Sequence, residues 1–127
     1  MKEPLAAMLQ PPETSAERDL RRLRTMYRAL GDASRLRMIG VLAEHGPLPV
    51  NELAAKVDLS QPLISWHLRI LRLAGLVQTR RQGREVISRL RLEGFEELHE
   101  AEERLVGGQL VATRARPAAA PEVADVG

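Results

Sequence analysis

Leu59-Ser60-Gln61-Pro62-Leu63-Ile64-Ser65-Trp66-His67-Leu68-Arg69-Ile70-Leu71 reads as one helix with two unlike faces. At about 100° per residue, Leu63, Ile64, Leu68, Ile70 and Leu71 fall in one broad apolar arc, while Pro62, Ser65, Trp66 and Arg69 gather opposite. The apolar arc is what a core needs; the other, which holds the chain's single tryptophan, needs a different explanation. Ser60 suits an N-cap, and Pro62 is harmless in a first turn whose N–H groups lack helical acceptors. The outward face therefore begins at a helix N-terminus rich in hydrogen-bonding groups, the arrangement by which a helix enters a DNA major groove.

On the C-terminal side, Ala74-Gly75 stops the helix, Leu76 to Arg80 has strand character, Arg81-Gln82-Gly83-Arg84 supplies turn chemistry, and Val86 to Leu90 is a second strand. A hairpin carrying Arg80, Arg81 and Arg84 can lie along a phosphate backbone beside the groove that the helix occupies. On the N-terminal side, the spacing predicts a helix over about 17–30 with Leu20, Leu23, Tyr27 and Leu30 on one stripe and Gly31 as its stop. A second helix follows over about 33–45 with Asp32 as cap, and a third over about 50–57; the helix quoted first spans about 60–74. Phe95, Leu98 and Leu105 mark a last helix over about 93–107. The fold class is mainly α with a small β-hairpin wing, five helices with the two strands between the fourth and the fifth. Residues 16–110 form this single domain, between a flexible N-terminal arm (1–15, with Pro4, Pro11 and Pro12) and a disordered C-terminal tail (111–127, with Pro117 and Pro121).

The ordered set of Ala29-Leu30-Gly31-Asp32-Ala33-Ser34-Arg35-Leu36-Arg37-Met38-Ile39, Leu53-Ala54, Leu59 to Pro62, Ser65, His67-Leu68, Leu71, Ala74-Gly75-Leu76-Val77 and Gly83-Arg84 resembles the ArsR/SmtB family of winged helix-turn-helix repressors. The resemblance spans roughly residues 18–106. It implies a homodimer that occupies an inverted-repeat operator, often at the protein's own promoter. The dimer contact would be made by Leu20, Leu23 and Tyr27 of the first helix with Phe95, Leu98 and Leu105 of the last, whose apolar stripes lie outside the DNA-reading unit. The resemblance also implies metal sites to look for. One family site places thiols at the start of the third helix, where this chain has Leu48-Pro49-Val50-Asn51-Glu52-Leu53; the other maps onto Leu92, Gly94, Leu105 and Gly108. Both sets of ligands are missing, so no metal and no other cofactor is expected.

Composition bounds the rest. A chain of 127 residues is one domain of ordinary size, and its aromatic content of 2% leaves the core to Leu, Ile, Val, Met and Ala. With no cysteine it has neither disulfides nor thiolate chemistry. No apolar run approaches the length of a membrane span and no signal-peptide pattern is present, so a cytoplasmic location is expected. The net charge of +2 hides a segregation: Arg18 to Arg91 holds 15 Lys and Arg against 6 Asp and Glu, and the remaining residues hold 4 against 11. The basic stretch coincides with the helix and hairpin that face DNA. Seventeen of the 19 basic residues are arginine, the side chain suited to bidentate phosphate and guanine contacts.

Candidate DNA contacts are therefore Ser60, Gln61, Pro62, Ser65, Trp66, His67 and Arg69 on the helix, and Arg80, Arg81 and Arg84 on the hairpin. Gln61 is suited to adenine, Arg69 to guanine or phosphate, and Trp66 to a thymine methyl. His67 projects toward the apolar side and is read mainly as a positioning residue within reach of a phosphate. His99 with Glu96 and Glu103 shares one face of the last helix, an exposed and weak set for a borderline cation. The acidic residues of that helix, Glu93, Glu96, Glu97, Glu100, Glu102 and Glu103, read most simply as a solvated face. No nucleophile elbow, phosphate-cradling glycine loop or paired metal motif assembles a reaction centre, so catalysis is not expected. The same residues leave open a repressor responding to an effector through an atypical site, or a winged-helix module that docks a protein through Trp66.

Overall fold

Helix α1 (Ser15–Leu30) starts where Thr14 and Glu17 form a capping box, the Thr14 hydroxyl accepting from the Glu17 N–H at 3.1 Å and the Glu17 carboxylate accepting from the Thr14 N–H at 3.1 Å. The Thr-x-x-Glu signature places the start two residues earlier than the apolar stripe alone suggests. In this computed structural model, which describes residues 11–111, α2 (Ala33–His45), strand β1 (Leu48–Pro49), α3 (Val50–Val57), α4 (Gln61–Leu73), β2 (Val77–Gln82), β3 (Glu85–Leu90) and α5 (Leu92–Val106) follow. Most of the expected arm and nearly all of the expected tail lie outside the described residues.

The helix-turn-helix is α3, a three-residue turn and α4. Asp58 closes α3 in the left-handed region (φ 59°, ψ 50°), and its N–H and that of Leu59 bond back to the Ala55 and Ala54 carbonyls. Ser60 then caps α4 as expected, its hydroxyl accepting from the Leu63 N–H at 3.3 Å. Ile64, His67, Leu68 and Leu71 of α4 are buried. Ile64, Leu68 and Leu71 join Met38 and Leu42 of α2, Leu53 and Val57 of α3, and Leu76 and Val77 in one aliphatic core. Leu63 lies at the edge of the apolar arc, not within it, and is about half exposed. The arc is wider than the strip the neighbouring helices cover.

The sheet has three strands in the order β1-β3-β2, all antiparallel. β1 is an addition to the two strands expected, for Leu48-Pro49 carries no strand pattern of its own. It pairs with Ser88 and Ile87, and the buried Ser88 hydroxyl donates to the Leu48 carbonyl at 3.2 Å. The wing is longer than a four-residue turn from Arg81 to Arg84 would allow. Gln82 pairs with Glu85, so only Gly83-Arg84 make the turn, and Gly83 at φ +64° supplies the left-handed residue that a two-residue hairpin takes at its first position.

The stripes of α1 and α5 do not wait for a second subunit. The two helices pack on each other, with Leu23 2% and Leu98 5% exposed, so both belong to the subunit core and not to a free interface surface. Arg104 bonds Asp19 at 2.8 Å, Arg22 bonds Glu97 at 2.7 Å, and the Tyr27 hydroxyl donates to Glu102 at 2.9 Å. Glu97 and Glu102 are thus engaged, a correction to the reading of this acidic face as merely solvated. Gly94 lets the start of α5 sit on the α4–β2 corner: a Cβ there would collide with the Gly75 carbonyl. Leu20, Tyr27 and Leu105 remain exposed, and Phe95 is partly buried against the core.

Candidate nucleic-acid interface

With Ile64, Leu68 and Leu71 in the core, α4 turns Gln61, Pro62, Ser65, Trp66 and Arg69 to solvent. Each is exposed, as the two-faced pattern requires. Gln61 and Ser65 border a cleft whose other walls include Asn51 of α3 and Thr79 and Arg84 of the wing. The helix, the start of the helix before it and the hairpin therefore frame one concave surface. Ser60, the cap of α4, is itself exposed.

His67 departs from the expectation of a phosphate contact, because it is buried. Its Nδ1 lies 3.1 Å from a guanidinium nitrogen of Arg35 on α2. A guanidinium has only donors, so Nδ1 accepts and the proton of the neutral ring sits on Nε2. Arg35 also donates from Nε to the Ala29 carbonyl at 2.6 Å and lies 4.0 Å from Asp32. Asp32 caps α2 by accepting from the Ser34 and Arg35 N–H groups at 2.9 and 3.2 Å. The Arg35 N–H, helped by the Arg35 charge and the Ser34 N–H, holds the Asp32 carboxyl below its ordinary value against the opposing effect of burial. His67 is therefore a positioning residue for α4.

Some arginines of the described residues are held within the protein, Arg21 by Glu13 among them, and others have no carboxylate or carbonyl partner, including Arg18, Arg24 and Arg28 of α1. Arg22, Arg35, Arg91 and Arg104 are held by carboxylates of the protein, and Arg37 donates to the Val57 carbonyl at 2.7 Å. Among the described residues, Arg69 and Arg72 of α4 and Arg80, Arg81, Arg84 and Arg89 of the wing have no carboxylate or carbonyl partner in the protein. Arg72, Arg80 and Arg89 line one shallow depression with Gln78 and Thr79. Arg72 and Arg89 are absent from the candidates drawn from the sequence. Arg72 follows Arg69 by one helical turn, a usable signal, whereas Arg89 needs the strand register that sets it opposite Gln78.

The acidic side lies elsewhere. Glu97 accepts from Arg22 and Arg91, and these contacts, the Arg22 hydrogen bond foremost, hold its carboxyl below the usual value. His99 Nδ1 lies 3.3 Å from Glu102, not between Glu96 and Glu103. Among the described residues no three imidazole or carboxylate groups converge on a point where a cation could sit. No helix among them is long and apolar enough to cross a membrane.

Comparison with known proteins agrees with this geometry. The profile of the family described as "Bacterial regulatory protein, arsR family" matches residues 32–79, from the α2 cap into the first wing strand. The arsenic resistance transcriptional regulator ArsR1 of Pseudomonas putida is 44% identical over 68 residues, 54% of this chain and 53% of that protein. The biofilm growth-associated repressor of Agrobacterium fabrum is 35% identical over 79 residues, 62% of this chain and 67% of that one. An ArsR-like transcriptional regulator from Rhodococcus sp. RHA1 superposes with a TM-score of 0.64 at 25% identity, covering 70% of this chain and 83% of that structure. The chain spans about half the length of the Pseudomonas relative and of several other curated relatives it matches.

Proposed function

The chain belongs to the ArsR family of bacterial regulatory proteins, and from that premise we propose that it is a cytoplasmic, homodimeric transcriptional repressor that grips double-stranded DNA with α4 in the major groove and the β2–β3 wing along the backbone. The observation that carries this reading is where the unpaired arginines gather. Among the described residues Arg18, Arg24 and Arg28 of α1 are unpaired as well, but α4 and the wing, which pack on each other, bring six unpaired arginines to neighbouring elements, three of them around one depression. A duplex supplies a row of anions along a surface, and an arginine can bind a phosphate bidentately.

Within this reading, Ser60, Gln61, Pro62, Ser65, Trp66 and Arg69 meet the groove, with base edges read by Gln61, Ser65, Trp66 and Arg69. Arg72, Arg80, Arg81, Arg84 and Arg89 meet phosphates. Two-fold symmetry sets two α4 helices into successive major grooves of an inverted repeat. The exposed Leu20, Tyr27 and Leu105, which border one apolar groove with Arg24 and Arg28, form the subunit contact. Metal does not enter the mechanism, since Pro49, Leu92, Gly94, Leu105 and Gly108 stand where ligands would be needed.

Footprinting on DNA upstream of the protein's own gene tests the proposal. Protection of an inverted repeat whose half-sites lie about one helical turn apart is expected, unchanged by chelator. Absence of protection at any concentration below that of random DNA binding would remove the repressor reading.

A further inference from the structure

The chain's only tryptophan is kept out of its core. Leu, Met, Ile and Val fill the interior, while Trp66 stands on α4 with 56% of its surface exposed, almost opposite the buried line of Ile64 and Leu71. Among the described residues its indole N–H has no protein acceptor. Its surroundings on the helix are mixed. Ser65 and Arg69 flank it on the polar side, and the half-exposed Leu63 lies one turn before it. An indole in this place offers a groove two things together, an apolar ring and a single hydrogen-bond donor.

We propose that Trp66 selects thymine in the operator half-site, with its ring against the C5-methyl group and its N–H toward O4. This deepens the DNA-reading assignment above and rests on it. The match follows from the major-groove edges of the four bases. Guanine offers acceptors only, cytosine an exocyclic amine donor, and adenine an acceptor beside a donor. Thymine alone pairs an acceptor with a methyl group, so it alone satisfies both halves of the indole. The N–H supplies direction, and burial of the methyl group supplies the preference over a base that lacks it.

The test uses the full chain and the tightest duplex selected from a random library. Each thymine of that duplex is replaced in turn by deoxyuridine, which removes the methyl and keeps O4. For the wild type, one position per half-site should lose about fourfold in affinity, the worth of one buried methyl-sized group. Trp66→Ala should bind the parent duplex more weakly and be indifferent to the methyl at that position; Trp66→Phe should remain sensitive to it. Replacing that thymine–adenine pair by a 5-methylcytosine–guanine pair, which keeps a methyl at the position but presents a donor, should still bind the wild type more weakly than the parent. A selected duplex that the wild type binds equally well with every thymine demethylated would overturn the Trp66 assignment and leave DNA reading intact. So would a Trp66→Ala protein that keeps the full methyl effect, which would give the tryptophan to another role such as docking a protein partner. Failure of any duplex to emerge from selection would remove the DNA-reading premise and this inference with it.

Discussion

Arg35 joins three elements with one guanidinium: the Ala29 carbonyl at the end of α1, the Asp32 cap of α2, and His67 inside α4. Its side chain is only 11% exposed, so these contacts are made away from bulk water. Arg35→Ala leaves a carbonyl and an imidazole nitrogen without their donor, a destabilisation of about 2 kcal/mol, and calorimetry should record a melting temperature lower by roughly 10 °C. Arg35→Lys should recover little of it, because one ammonium cannot reach both acceptors along Arg35's planar fork. An unchanged melting temperature in both variants would show that the network does not hold α4. Little of this is legible in the sequence. Arg35 falls within the run of residues that carries the family resemblance, and helical period points His67 inward, but nothing in the spacing of 35 and 67 links them. That link requires α2 and α4 to cross, which is tertiary information. The outward residues of α4 are legible because helical period alone separates Ser65, Trp66 and Arg69 from Ile64, Leu68 and Leu71.

At the scale of elements, α1 and α5 are clasped by Arg22 on Glu97 and by Arg104 on Asp19, with Arg91 joining at Glu97. Glu97 titrates below its ordinary value in the folded chain, chiefly through the Arg22 hydrogen bond. A depressed folded pKa means stability that is present above the unfolded value and is lost as pH falls through the folded one. The acid limb of the stability curve should therefore descend below the ordinary carboxylate range, with Asp32 contributing in the same sense. Glu97→Gln should flatten that limb by lowering the neutral plateau toward the acid value, by less than about 1 kcal/mol because the pair is partly exposed and screened. Melting temperatures measured between acid and neutral pH decide it; an identical pH profile in the variant would detach Glu97 from the clasp. The glutamates of α5 mislead for a physical reason. A row of them on one helix face looks solvated until the facing helix is known to bring arginines to it. β1 escapes for a similar reason, since two residues ending in proline carry no period, and only pairing with Ser88 and Ile87 makes them a strand.

The whole molecule separates its charge, with a cationic concave face on α4 and the wing and a concentration of carboxylates on α5. It also leaves Leu20, Tyr27 and Leu105 uncovered around one groove while Leu23 and Leu98 are used internally. Two substitutions distinguish these roles. Leu20→Asp should leave the subunit folded and shift sedimentation from dimer toward monomer, whereas Leu23→Asp should unfold it, because a charge in the core costs several kcal/mol. A Leu20→Asp protein that remains fully dimeric would move the interface elsewhere. The composition makes dimerisation expected, but apolar spacing cannot divide the stripes between core and contact, because it does not record which half of a stripe a neighbouring helix covers. Everything proposed for the molecule depends on the unpaired arginines of α4 and the wing binding phosphate, and the dependence of duplex affinity on salt, followed by fluorescence anisotropy, tests that most directly. A log–log slope steeper than about −4 is predicted for the wild type, made shallower by about one unit for each phosphate that an Arg80→Ala, Arg81→Ala, Arg84→Ala triple variant no longer neutralises. A slope near zero, or one that the triple variant leaves unchanged, would contradict it.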